Sequence, residues 1–152
     1  MVSYIILYMN NDEIIVLDTN VLLSALKSRN GQSFKLFRRI LDGKVKIAIS
    51  VALILEYESI LKKCLDKSIF SDEEIEAVIN VICNIGEKTR IYYLWRPYLR
   101  DYFDDHVLEV AMNAGCKKII TFNLKDFVET EKLGIKAMTP GEFLNELEGG
   151  KE

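Results

Sequence analysis

The sequence predicts an α/β protein in which a central parallel sheet is covered on both faces by helices. Short apolar runs rich in β-branched residues alternate with stretches of helical spacing. The helical stretches open on capping residues and several close on glycine. The whole chain is 152 residues, the length of one ordinary domain, and it shows no internal repeat or low-complexity linker. Strands alternating with helices imply right-handed crossovers between parallel neighbours, and such sheets bind ligands at the carboxyl ends of their strands.

After Asn10, Asn11, Asp12 and Glu13, residues 14–17 form an apolar run that stops at Asp18, so a buried strand is expected with Asp18 at its C-terminal end. Residues 21–26 suit a helix broken by Arg29, Asn30 and Gly31. Phe34, Phe37, Ile40 and Leu41 fall at helical spacing before Gly43, and residues 45–49 alternate into a second strand. Ser50 is placed to cap the next helix, which carries Leu53, Glu56 and Ile60. Ser71 and Glu74 form a capping box for a helix reaching to about Ile85, with Ile75, Val78, Ile79 and Ile82 inward and Gly86 closing it.

Residues 91–95 are expected to be a third strand, ended by Pro97. Asp104 and Asp105 precede the helical stripe of Val107, Leu108, Val110, Ala111 and Ala114, which Gly115 stops. Residues 118–121 read as a strand and 134–138 as a last short one. Thr139 and Glu142 then bracket Pro140 in a capping box. A single domain over 1–152 is expected, with 1–13 an N-terminal extension in which Met9 offers a second start, and 148–152 a flexible tail.

A net charge of −3 argues against a protein coated in positive charge, but a cluster of carboxylates that binds cations would reverse its local sign where a phosphate approaches. Cys64, Cys83 and Cys116 are widely spaced without a C-x-x-C pair, so reduced thiols and a cytoplasmic location are expected. No apolar stretch approaches the roughly 18 residues that span a bilayer, and the first residues lack the basic start of a signal peptide.

Acids recur where strand ends and helix starts would bring them to one rim: Asp18, Glu56, Asp104 or Asp105, and Asp126. Uncompensated carboxylates gathered there would repel one another, and a bound cation is the simplest reason for them to converge. Oxygen-only ligands favour Mg²⁺ or Mn²⁺ over zinc. Each acid has a plainer use as well. Asp18 can cap a helix, Glu56 can be a solvated helix residue, one of Asp104 and Asp105 can cap the helix they precede, and Asp126 can belong to an ordinary turn.

The segments Val16-Leu-Asp-Thr-Asn-Val-Leu22, Leu55-Glu-Tyr-Glu-Ser-Ile-Leu61, Asp104-Asp-His-Val-Leu108 and Ile120-Thr-Phe-Asn-Leu-Lys-Asp-Phe127 resemble, in order and spacing, the successive motifs of the PIN-domain family. The resemblance runs from about residue 14 to 147 and is closest to prokaryotic PIN proteins classed as toxins of toxin-antitoxin pairs, similar to VapC ribonucleases. It implies a three-layer α/β/α fold with about five parallel strands, a Mg²⁺- or Mn²⁺-dependent endoribonuclease acting on RNA, a homodimer, and a cognate antitoxin that places a basic side chain in the acidic pocket.

Carried over by that resemblance, Asp18, Glu56 and Asp105 match three metal-binding acids, and Asp126, aided by Asp104 and Asn123, occupies the region of the fourth. Many relatives have Asp where this chain has Asn123. Thr19 and Asn20 match the polar pair that orients the first acid and the attacking water, and Lys125 is the favoured phosphate contact. Lys35, Arg38, Arg39, Lys62, Lys63, Lys117 and Lys118 are further basic candidates, expected mostly to be solvated. His106 is expected to face away from the acids, and Tyr92, Tyr93, Trp95, Tyr98, Tyr102 and Phe103 to pack or stack.

Water activated by divalent ions needs no nucleophilic side chain, in keeping with a sequence that has no Gly-x-Ser-x-Gly and one histidine. A catalytically weak RNA-binding or protein-interaction module is the rival from another class, with Asn123 as its supporting feature. A dehalogenase-type phosphatase would require Asp-x-Asp where the chain has Asp18-Thr-Asn20.

Overall fold

The apolar run Ile14–Leu17 becomes the middle strand of the sheet because it has no polar side chain to keep in water. The computed structural model describes residues 13–91 and 105–149, with Asp105 described in its backbone only. In chain order the elements are β1 (Ile14–Leu17), α1 (Thr19–Lys27), α2 (Gln32–Leu41), β2 (Lys46–Ile49), α3 (Val51–Cys64), α4 (Asp72–Ile85) and β3 (Glu87–Lys88). After these come α5 (Asp105–Ala114), β4 (Lys118–Ile120), a 3₁₀ segment (Leu124–Leu133), β5 (Lys136–Met138) and α6 (Pro140–Gly149).

Among the described residues the sheet has five strands in the order β3-β2-β1-β4-β5, all parallel. With helices on both faces it is the three-layer α/β/α arrangement that the sequence predicts. The chain moves outward from β1 through β2 to β3, then returns to lay β4 on the other side of β1. The order therefore reverses at β1, and a crevice opens beyond the C-terminal ends of β1 and β4.

The core is one cluster. Ile15, Val16, Ile47, Ala48, Ile119 and Ile120 are at most 1% exposed. Helix α5 packs across β1, β2 and β4, α3 packs against α1, α4 and α5, and α6 packs against α2. The expected caps form: Ser50 Oγ accepts from Leu53 N at 3.1 Å, Ser71 and Glu74 complete a capping box, and Thr139 exchanges bonds with Glu142. Each such cap stabilises its helix by about 1 kcal/mol.

Among the described residues the third strand is Glu87–Lys88; Ile91 is outside any strand, and 92–95, the rest of the expected strand, lie outside the described residues. β3 is an edge strand that pairs Ala48 with Glu87 and Ile49 with Lys88 through backbone alone, so it needs no apolar run to announce it. Gly86 makes the approach possible, because a Cβ there would come within 2.8 Å of Ile49 Cδ1. The last strand begins at Lys136, two residues later than expected, because Gly134 takes a left-handed conformation (φ 79°) to end the 3₁₀ segment.

Helix α6 continues to Gly149, with Arg39 bonded to Glu148 at 2.8 Å. Residues 150–152, the extension 1–12 with Met9, and the aromatic residues from Tyr92 to Phe103 lie outside the described residues. Cys64, Cys83 and Cys116 are free thiols, and burial pushes the Cys116 thiol up to about 12. Among the described residues no helix is long and apolar enough to cross a membrane.

Candidate active site

Asp18 stands where β1 gives way to α1. Its N–H still pairs with Ile120 O at 2.9 Å, as a continuation of the β1–β4 ladder, while its backbone (φ −68°, ψ 149°) remains extended ahead of the helix. Its Oδ1 accepts from Thr19 N at 2.7 Å, so Asp18 does cap α1. Its Oδ2 accepts from Thr121 Oγ1, also at 2.7 Å, and Thr121 Oγ1 in turn accepts from Asn123 N at 3.0 Å. The carboxylate is held at both oxygens yet keeps lone pairs for a further partner, since each oxygen can accept twice.

Glu56 reaches the same place from α3, where Thr19 Oγ1 donates to its Oε2 at 2.6 Å. The side chain that follows, Tyr57, is fully buried and donates to Leu17 O at 2.5 Å, pinning α3 to the residue before Asp18. Asn20 Oδ1 accepts from Phe122 N at 3.4 Å and ties α1 to the chain leaving β4. Helix, strand end and loop are thus joined around one cavity of about 780 Å³, a volume typical of ligand sites.

Asp18, Thr19, Asn20, Glu56 and Asn123 all line that cavity, as does His106. Asp126 and Lys125 line an adjoining hollow that shares Asn123. Helix α5 begins at Asp105, next to His106, but the Asp105 side chain and all of Asp104 lie outside the described residues. Among the described residues no three His, Cys, Asp or Glu side chains converge to share one ion; Asp18 and Glu56, linked through Thr19, are the two acids brought together. A separate apolar hollow of about 370 Å³ lies beyond Leu55, lined by Ile49, Val51, Ile54 and Cys83 among others, without a carboxylate.

The Asp18 carboxyl, only 6% exposed, is pushed up from 3.8 to about 6. Burial is the largest cause. The bonds from Thr121 and Thr19 oppose it, and the charges of Glu56 and Asp126 add to it. Among the described residues no Lys or Arg charge enters that balance. Burial, followed by the same charges of Asp18 and Glu56, holds the Tyr57 hydroxyl well above its ordinary range, so it stays a donor.

A buried carboxylate with a second acid beside it and a third within electrostatic reach is an oxygen donor set with excess negative charge, which suits a hard divalent cation. Asp126 contributes through its charge on Asp18 from the neighbouring hollow, and Asn123 takes the place on the cavity wall. His106 lines the cavity in place of facing away.

Two site residues escaped the sequence reading, Thr121 and Tyr57. Thr121 follows directly on the residue whose carbonyl pairs with Asp18; only knowledge that β1 and β4 are neighbours would have found it. Replacing Thr121 with Val keeps the shape but removes the donor to Asp18 Oδ2, so the Asp18 carboxyl is expected to rise further above about 6. A carbon-13 titration of the metal-free variant checks this; an unchanged or lower midpoint would show that the hydroxyl does not stabilise the carboxylate.

The PIN domain family model matches residues 14–125 of the chain. Among solved structures, that of FitAB bound to an IR36 DNA fragment aligns with a TM-score of 0.59 and 16% identity, covering 83% of this chain and 94% of that one. At that identity the likeness speaks for the fold. No curated protein matches the chain.

Proposed function

Because the chain belongs to the PIN-domain family, we propose that it is a metal-dependent endoribonuclease that hydrolyses RNA phosphodiester bonds, and that it serves as the toxin of a toxin-antitoxin pair. The observation that carries the nuclease reading is the convergence of Asp18 and Glu56 in one cavity at the point where strand order reverses.

In this reading Asp18 and Glu56, together with Asp105 and with Asp126 and Asp104 as supporting acids, hold Mg²⁺ or Mn²⁺. Such an ion, when bound, supplies an activated water and offsets charge on the leaving oxygen. The chain's own residues orient the donors. Thr121 Oγ1 and Thr19 N fix the two oxygens of Asp18, Thr19 Oγ1 fixes Glu56, and Asn20 holds the strap that carries Asn123. Lys125, exposed in the adjoining hollow, contacts a substrate phosphate. The toxin assignment, the antitoxin and the homodimer rest on the resemblance of the four motifs, and the cytoplasmic location on the three widely spaced cysteines.

Asn123 on the cavity wall favours a second reading, a nucleic-acid-binding or protein-interaction module with weak turnover. One experiment separates the two. Purified protein is incubated with fluorescent single-stranded RNAs and DNAs in Mn²⁺, in Mg²⁺ and in EDTA, beside Glu56→Gln and Asp105→Asn. Metal-dependent cutting of RNA lost in both variants is the expected result. RNA left intact by folded protein under every condition supports the binding module, and cutting confined to DNA would overturn the RNA assignment.

A further inference from the structure

We infer that Lys63 grips a backbone phosphate of the RNA at least one nucleotide away from the bond that is cut, an inference that rests on the nuclease reading above. The cavity wall contributed by α3 runs at helical spacing from Ala52 through Leu55, Glu56, Ser59 and Ile60 to Lys63. Glu56 and Lys63 are seven residues apart, which puts them on nearly the same face and roughly 10 Å apart along the axis. One end of the cavity is acidic and suited to a cation; the other end carries a cation of its own.

Its neighbour Lys62 shows what a merely structural lysine does here. Lys62 Nζ lies 2.8 Å from Glu76 and 3.5 Å from Glu58, closing α3 onto α4. Lys63 is exposed on the cavity side, and among the described residues it has no acidic partner. Nor is it among the groups that act on Asp18, which are Thr121, Thr19, Glu56 and Asp126. A single phosphate cannot occupy both ends of a stripe this long, so an anionic chain laid along α3 is the occupant that satisfies both. Phosphate contacts of this kind set position and affinity without reading sequence. The substrate is therefore a strand extending past the cleaved bond on the α3 side, and a dinucleotide would bind without this grip.

The test uses the full chain carrying Asp18→Asn to prevent turnover, in Mg²⁺, with a fluorescent single-stranded RNA followed by anisotropy over a range of KCl concentrations. Adding Lys63→Ala is expected to weaken binding roughly fivefold at low salt and to reduce the magnitude of the slope of log affinity against log salt by about 0.7, one contact's share for a single strand. Lys63→Arg restores the slope, and Lys62→Ala leaves it unchanged. An unchanged slope in Lys63→Ala overturns the inference while leaving the nuclease reading in place. Neither binding nor cleavage of RNA by the unmodified protein in Mg²⁺ at any salt brings down both, and thermal melts of each variant confirm that folded protein is compared.

Discussion

Replacing Asp18 with Asn is expected to reduce RNA cleavage at least about a hundredfold and, at the same time, to make the metal-free protein more stable at neutral pH. The second effect follows from the sign of the pKa shift. The Asp18 carboxyl sits at about 6 in the folded chain, against an ordinary 3.8, so the folded state binds this proton more tightly than the unfolded one. Its contribution is fully present below pH 3.8 and is lost as pH rises through about 6. The gap between those values corresponds to about 3 kcal/mol as an order of magnitude.

Asparagine carries no charge to desolvate, and it caps helices about as well as aspartate. Its oxygen can still accept from Thr19 N, and the Thr121 hydroxyl can turn to accept from its amide. Denaturation in EDTA should show Asp18→Asn melting several degrees above the unmodified protein at pH 7.5, with most of the difference gone near pH 4. Mg²⁺ or Mn²⁺ should then raise the melting temperature of the unmodified protein and leave that of the variant nearly unchanged. A variant less stable than its parent at pH 7.5 would mean that the bonds from Thr121 and Thr19 to the charged carboxylate outweigh the cost of burying it.

The largest loss of stability is expected at Tyr57. It is fully buried between α3 and the end of β1, and it combines a large apolar ring with a donor to the Leu17 carbonyl. Tyr57→Phe keeps the ring and leaves that carbonyl without its donor, at about 1 to 3 kcal/mol. Tyr57→Ala also opens a cavity and should cost about 3 to 5 kcal/mol in total. Urea denaturation of the two variants separates the contributions.

Cleavage should fall roughly tenfold in Tyr57→Phe even while the protein remains folded, because the bond joins the helix carrying Glu56 to the strand ending at Asp18. Full activity in folded Tyr57→Phe would show that the Thr19 bridge alone is enough to hold the two acids together.

Much of this architecture was legible before any coordinates. β1 announced itself because a strand buried on both faces must be apolar throughout, β2 because residues 45–49 alternate, and three helix starts because Ser50, Ser71 and Thr139 satisfy backbone donors within three residues. Asp18 and Glu56 were legible for the same local reason: each follows a strand that the pattern reveals. The strand of Glu87 and Lys88 was not foreseen because an edge strand is defined by the carbonyls it pairs with and by the space that Gly86 leaves beside Ile49, neither of which shows in hydropathy.

The sequence by itself determined the alternation of strands and helices, the parallel sheet it requires, and the acids that stand at strand ends and helix starts, since these depend on interactions spanning a few residues. Only the tertiary structure decided that β4 returns to lie beside β1, that Thr121 thereby holds Asp18, that His106 faces the cavity, and that Lys63 faces it while Lys62 turns to Glu76. Those outcomes depend on which strands become neighbours and which side of a helix the packed core leaves open. They are set by burial and pairing between residues far apart in the chain, which no local pattern records.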